Sequence, residues 1–446
     1  MSGFGILVLL GLIFSLPFIF RNPFIGLLLV LAVQPISPII ALPAGLTAGR
    51  IAGAFTIASW VAHISTNVDS AQRFQQSQMK WWIFLFPLTC LLGTSIGLLE
   101  NGWTNGVGKT LNIFLLASMA LIIENQVTTS KRFSTLIATV VVSSLIAVLF
   151  PLAFHFGIDL YTPIGADLEL VLEGAEGRAA GLTGNANGLG IGAAMGIFGI
   201  IIAIAGSRDL KPLLLLAFAG TACLGGLLLS GSRTNVIAVF VCLVVYFAGT
   251  VMGTPRNRII GTVGLFLLLS AVPLVWLITP EGIQGRLNMV GSNVDSNTIA
   301  RMDFSAEQRE AAFRGLEQRP IFGAGLVNFQ NAGLDSQNAH DSVSILIGET
   351  GLSGVVAFFI TVFLSYLGLF QVLKTARAIN DERVFGLAIG LLASFTGVLV
   401  AGFGGYIVFY ERWFWLVLGM TPTLLLFLGR EQERFYEYYT MPDDDF

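Results

Sequence analysis

The chain has 446 residues, of which 54% are hydrophobic and only 11% charged, and its formal net charge is −3. A soluble fold of this size would carry roughly a quarter charged residues, and no segment here is polar enough to form an independent soluble domain. Those proportions exclude a soluble enzyme and predict an all-α, polytopic integral membrane protein, with a single membrane domain filling residues 1–446.

The first apolar run, Phe4 to Phe20, has no Lys or Arg before it and no small-residue cleavage pattern after it. It therefore reads as a retained helix and not as a removed signal peptide. Apolar runs of about the ~20-residue length that crosses a bilayer then recur along the chain. They predict spans near 4–20, 23–47, 51–66, 81–99, 108–124, 133–154, 186–206, 213–230, 234–252, 259–279, 341–370, 384–408 and 411–428, twelve or thirteen crossings. The second run is interrupted by Gln34-Pro35-Ile36-Ser37-Pro38, which makes it either a full span or a bent, re-entrant segment. Cys90, Cys223 and Cys242 all lie inside apolar runs and are odd in number, so they read as small buried hydrophobes, not as a disulfide framework or metal cluster.

Basic residues orient the spans, because Lys and Arg near helix ends are retained in the cytoplasm. Arg73 and Lys80, Lys131 and Arg132, Arg208 and Lys211, Arg256 and Arg258, and Lys374, Arg377 and Arg383 fall in alternate connections. This assigns those loops to the cytoplasm, together with the tail 429–446, whose Asp443-Asp444-Asp445 run reads as a solvated terminus. Residues 155–185 and 280–340 are then the extracytoplasmic loops. In the second, Ser305-Ala306-Glu307-Gln308 has capping-box spacing. It predicts a short helix with Ala312, Phe313 and Leu316 on one face and a Glu310/Arg314 pair on another, lying on the outer surface or over a cavity mouth.

Three outward residues are unusual in type. Arg178 precedes a span, Arg233 lies in the short connection Ser230-Gly231-Ser232-Arg233-Thr234, and His340 lies in Asn338-Ala339-His340-Asp341. A charge near membrane depth costs several kcal/mol unless it pairs or faces a cavity. Arg233 therefore reads either as a side chain snorkelling to lipid headgroups or as a clamp for a phosphate or diphosphate. His340 reads either as a structural hydrogen-bonding residue or as a general base, since an imidazole titrates near ~6.5, and Asp341 or Glu349 would fix its tautomer if within reach. His63 falls on the cytoplasmic side, while His155 lies at the outer end of its span, as an interfacial residue or as part of a cavity wall. Gly184, Gly188, Gly192 and Gly196 share one helical face, a spacing that in membranes signals close helix packing. The alternative for residues 177–188 is phosphate binding, with Asn185 and Asn187 beside Arg178 at a helix N-terminus. The pattern is no nucleotide-binding fingerprint, since neither a preceding strand nor a following Gly-Lys-Ser/Thr is present.

Four segments carry a resemblance. Gly177-Arg178…Gly181-Leu182-Thr183-Gly184-Asn185-Ala186-Asn187-Gly188-Leu189-Gly190, Leu229-Ser230-Gly231-Ser232-Arg233-Thr234, Arg319-Pro320-Ile321-Phe322-Gly323-Ala324-Gly325 and His340-Asp341…Glu349-Thr350-Gly351-Leu352-Ser353-Gly354 resemble, in order, side and spacing, the successive motifs of the O-antigen ligase and polymerase family. The resemblance implies an all-helical C-type glycosyltransferase fold in a bacterial inner membrane, with its active site facing the periplasm. It also implies a glycan donor linked to undecaprenyl diphosphate, no metal or other cofactor, and no nucleic-acid partner.

Carried across by the motifs, Arg178 and Arg233 would hold the donor diphosphate and His340 would be the base. Asn185, Asn187, Arg319, Asp341 and Glu349 would be supporting or acceptor-binding residues. After the histidine the family often has Asn or Ser, whereas this chain has Asp341, an acid that would orient the imidazole or bind an acceptor sugar. The moderate length of the loop 280–340 and the short tail after Arg430 favour a ligase using lipid A-core as acceptor over a polymerase extending a second lipid-linked glycan. A small-anion transporter is the alternative of a different class, because intramembrane arginines also line anion pathways. Against it stand the absence of an internal repeat and the clustering of polar residues on one side.

Overall fold

The structure, a computed structural model, describes residues 3–33, 47–77, 79–102, 104, 106–162, 172–173, 178–207, 211–253, 255–279, 283–284, 296–334, 342–403 and 408–440. His340, Asp341, the interrupted stretch 34–38 and the acidic residues 443–445 lie outside the described residues.

The protein is an all-α, multi-pass membrane protein. Its helices are α1 (Gly3–Arg21), α2 (Pro23–Ala32), α3 (Ala48–Thr66), α4 (Val68–Gln76), α5 (Met79–Trp82), α6 (Leu85–Asn101), α7 (Val107–Gln126) and α8 (Ser130–His155). They continue with α9 (Ala186–Ala205), α10 (Lys211–Leu229), α11 (Arg233–Val251), α12 (Pro255–Ile278), α13 (Ser296–Gln318), α14 (Gly351–Ala378), α15 (Glu382–Phe403) and α16 (Arg412–Thr440). A two-residue antiparallel ladder pairs Leu172 with Ala179 and Glu173 with Arg178. In hydrocarbon every backbone polar group must be satisfied within its own segment, which is why the apolar runs are helices.

Nine helices among the described residues are long and apolar enough to cross a membrane, and three shorter apolar helices accompany them, fewer full spans than the hydropathy runs suggest. The differences have local causes. Asn22 accepts a hydrogen bond from the Phe24 amide at 3.1 Å and Pro23 occupies the first helical position, so α2 starts at residue 23 as expected, but it closes at Ala32 with Val33 as its C-cap and has only 10 residues. Helix α3 carries Arg50 and His63 besides several hydroxyls, which lower its hydropathy. The last span before the C-terminal pair begins at Gly351 and not near residue 341, because a single turn at Ser342–Ser344 and a π-helical turn at Ile345–Glu349 come first.

Helix α13 also differs from expectation. It runs through the capping-box sequence without a break, 23 residues from Ser296. The first-turn role of Ser305 is lost because the preceding residues include Ala300, Arg301 and Met302, all good helix formers. Its buried face is Gln308, Ala311, Ala312 and Gly315, while Phe313 is exposed, and the Glu310/Arg314 pair forms at 3.3 Å on the exposed side.

Helices α9 and α15 form the centre of the bundle and are its most buried spans. They approach closely because small residues recur every fourth position along α15. A Cβ on Gly386 would collide with the Ala205 carbonyl, one on Gly390 would lie 2.8 Å from Ile202 Cα, and Ser394 Oγ reaches the Phe198 carbonyl at 3.4 Å. Close backbone approach replaces the missing hydrophobic drive between helices in lipid. Gly386→Ala should therefore force the pair apart and cost about 1–3 kcal/mol, read as a lower thermal midpoint of the detergent-solubilised protein. Outward-facing Phe14, Leu99, Leu214, Phe218 and Phe266 are strongly exposed, as a lipid-facing belt requires.

Candidate functional site

Two pairs of motif segments meet at the end of the bundle opposite the basic loops. In the first pair, Arg178 is buried at 4% exposure; its Nε donates to the Ser230 carbonyl at 2.9 Å and its Nη2 to Asn187 Oδ1 at 3.0 Å. Asn235 Nδ2 donates to Ser232 Oγ at 2.9 Å, and Gly190 leaves space in which a Cβ would come within 3.0 Å of Asn235, Ser230 and Ser232. Arg178 thus ties the turn before α11 to the start of α9, with two of its donor groups committed to protein acceptors. Arg233 is the first residue of α11 and is half-buried beside that turn.

The second pair is a backbone crossing. The amides of Ala324 and Gly325 donate to the carbonyls of Gly348 and Glu349, and those of Leu352 and Ser353 donate to Pro320 and Ile321, all at 2.9–3.0 Å. Gly323 and Gly351 have φ of 65° and 62° at the crossing point, where a Cβ on either would come within 2.5 Å of the other strand's backbone, so both are glycine by necessity. Arg319 forms an ion pair of 3.4 Å with Glu100 at the end of α6, partly exposed, a contact of small energetic worth.

Glu349 precedes the span and is buried at 2% exposure. One carboxyl oxygen accepts the Val327 amide at 2.9 Å, holding Val327 at φ 57°, a left-handed conformation rare for a β-branched residue. Among the described residues the other oxygen makes no hydrogen bond. Burial pushes the carboxyl well above the usual range, against the opposing pull of the Val327 amide and of Lys109. An unfolded Glu ionises near ~4.3. Between that pH and the raised folded value the native protein binds the extra proton, so stability falls as pH rises through this window. Glu349→Gln, which mimics the neutral acid, should flatten that decline and raise the thermal midpoint at alkaline pH by a few degrees, as a melting series against pH would read.

A cavity of about 400 Å³ opens at the same end, and it is amphipathic. Its lining combines polar residues, Thr47, Arg50, Asn112, Thr183, Asn185, Glu411 and Arg412, with apolar ones, including Leu31, Leu116, Val140, Ile191 and Leu416. Three helix N-termini converge on it. Thr47 caps α3 and accepts the Arg50 amide at 3.3 Å, Asn185 caps α9 through the Gly188 amide, and Arg412 opens α16. Arg412 Nη1 is steadied by the Val30 carbonyl at 2.8 Å. Helix N-termini carry partial positive charge, and the two guanidinium groups outnumber the Glu411 carboxylate, so the polar lining favours an anion. Lys109 stacks over the Tyr410 ring at 5.0 Å, with Arg50 in electrostatic range of both Lys109 and Arg412.

The motif residues divide around this cavity. Asn185 lines it, but Arg178, Arg233, Arg319 and Glu349 do not, and Asn187 is engaged by Arg178. The glycine stripe divides too: Gly196 packs against Cys223 and Ser144, whereas Gly188 and Gly192 face the cavity and Gly184 takes a left-handed turn at φ 76°. His155 ends α8 beside Phe156, away from the cavity lining. Ser342, two residues after His340 in the chain, accepts the Val408 amide at 3.0 Å, just ahead of the cavity residues Tyr410 to Trp413. Arg50 and Arg412 belong to no motif; the sequence signal for each is a lone arginine at the outer start of an apolar run. Compared with known proteins, the sequence matches no family model and no curated protein.

Proposed function

We propose that the protein is a membrane glycosyltransferase of the O-antigen ligase type, which moves a glycan from undecaprenyl diphosphate to a sugar hydroxyl at the periplasmic face of the inner membrane. The observation that carries this reading is the cavity's mixed lining: Arg50, Arg412 and three helix N-termini together with Leu31, Leu116, Val140, Ile191 and Leu416 suit a diphosphate joined to a hydrocarbon chain. The anchoring of Ser342 next to the cavity residues supports it further, because His340 is only two residues away along the chain.

In the proposed reaction His340 takes the proton from the acceptor hydroxyl, and that oxygen attacks the anomeric carbon of the donor sugar with inversion. The bond from that carbon to the diphosphate oxygen breaks, and its electron pair leaves on undecaprenyl diphosphate. Arg50 and Arg412 stabilise the charge that grows on the leaving diphosphate. Arg178 acts from behind, as the tie that sets the Ser230–Arg233 turn and the α9 start.

The test is acceptor dependence. Purified protein in nanodiscs receives a synthetic undecaprenyl-diphosphate oligosaccharide with or without lipid A-core, and released lipid diphosphate and glycan products are followed. A single product formed only with lipid A-core is expected. A ladder of longer glycans without it would identify a polymerase, and no release from folded protein in either case would reject the transfer reaction.

A further inference from the structure

A second cavity, of about 700 Å³, lies at the opposite end of the bundle, among the basic loops. Arg21, Arg73 and Arg132 line it together with His63, and Asp69 is the single carboxylate in its wall among the described residues. Here, too, three helices of nine or more residues begin, with Asn22 capping α2, Asn67 capping α4 and Thr129 capping α8 through their side-chain oxygens.

The arginines are held in place from behind. Arg73 Nη2 donates to Ser70 Oγ at 3.1 Å and Arg132 Nη1 to the Gln126 carbonyl at 2.6 Å, while the Arg132 guanidinium sits 5.3 Å from the Phe24 ring centre. The back wall is a buried amide network. Asn125 Nδ2 donates to the Ser70 carbonyl at 2.9 Å, and Asn125 Oδ1 accepts from Gln126 Nε2 at 2.7 Å and from Trp60 Nε1 at 3.2 Å. Both Arg73 and Arg132 lie in electrostatic range of His63. A transfer site at the other end of the molecule has no use for this cluster.

We propose that this crevice is a binding site for a phosphate-bearing anion. Three guanidinium groups against one carboxylate leave a net positive wall, the helix starts add their partial charges, and pre-set forks of donors match phosphate oxygens. The chemistry is shared by soluble phosphate and by an anionic phospholipid headgroup. Phe18 and Ile25 on the rim are exposed at 61% and 38%, which gives acyl chains an apolar surface to lie on and favours the lipid. This site stands whether or not the protein transfers glycans.

The test uses full-length protein in detergent and native mass spectrometry, with phosphatidylglycerol or phosphatidylcholine added and inorganic phosphate as competitor. Wild type should retain phosphatidylglycerol over phosphatidylcholine, and Arg73→Gln and Arg21→Gln should each weaken that retention about tenfold, the worth of one charge-assisted contact. Lys131→Gln, which removes the same charge from an exposed residue outside the crevice, should change nothing. Displacement by millimolar inorganic phosphate in wild type, lost in the arginine variants, would identify soluble phosphate as the source and keep the site. Equal retention of the two lipids without any phosphate effect, or an equal loss in Lys131→Gln, would overturn it. Arg21→Gln guards against misfolding of the Arg73 variant, since no intrahelical cap or buried network depends on Arg21 among the described contacts.

Discussion

Replacing His340 by alanine is expected to lower glycan transfer by about 10²–10⁴-fold, the usual worth of a positioned general base, while the protein still folds and inserts. The expectation rests on the chemistry of the acceptor. A sugar hydroxyl is a poor nucleophile until its proton is removed, and His340 stands two positions along the chain from Ser342, whose hydroxyl accepts the Val408 amide just ahead of the cavity residues Tyr410 to Trp413. His63 lines the crevice at the opposite end and His155 closes α8 away from the cavity lining. Turnover and thermal midpoint measured on the same preparation separate the cases. A variant with unchanged midpoint and full activity would remove His340 from the mechanism. Loss of both would point to a structural role for the segment. His340→Gln adds a control, because it keeps a hydrogen-bonding side chain of similar reach and removes only the proton acceptor.

The helices were legible because hydrocarbon imposes one rule, internal satisfaction of the backbone, on every apolar run. What composition could not report is where a run is cut. The break at Asn22-Pro23 is legible as a cap paired with a first-turn proline, but α2 closes at Ala32, inside the run that reads as a span over 23–47. The π-helical turn before Gly351 left no mark at all in hydropathy, since Ile345, Leu346 and Ile347 are as apolar as the span that follows. It is produced by tertiary contact, the four backbone bonds to the 320–325 loop.

The site was legible in part, and for a physical reason. The motif segments announced themselves by residues with demanding backbone positions, and the structure accounts for several of them as scaffold: Gly323 and Gly351 at the crossing, Gly190 under the 230–235 turn, and Arg178 as the tie between two segments. An arginine near membrane depth needs an acceptor, and sequence reasoning could state that need without saying whether a ligand or a carbonyl fills it. For Arg178 two of the acceptors are the protein's own. Arg50 and Arg412 stood apart from any motif and are 362 positions apart in the chain. Only the folding of α3 against α2 and the return of α16 to the same end makes them neighbours of one cavity.

Arg50→Gln and Arg412→Gln should each reduce donor turnover by about 10²-fold or more, the cost of removing one preorganised donor from a developing anion. Arg412→Lys should recover little of it. The guanidinium already spends one nitrogen on the Val30 carbonyl, and a lysine has a single head with which to replace both that contact and the remainder of the fork. A loss of this kind has two explanations, an absent clamp or a disturbed α16 start, and a change elsewhere in the lining distinguishes them. Gly192 faces the cavity with no atom within 4 Å of where its Cβ would be. Gly192→Leu therefore places its Cβ in open space and sends the rest of the side chain into the cavity, and it improves helix propensity in α9, so the protein should still fold. If the lipid diphosphate binds in this cavity, that variant should lose transfer and lose binding of a short-chain prenyl diphosphate together. Full activity in Gly192→Leu with normal turnover in both glutamine variants would move the diphosphate out of this cavity.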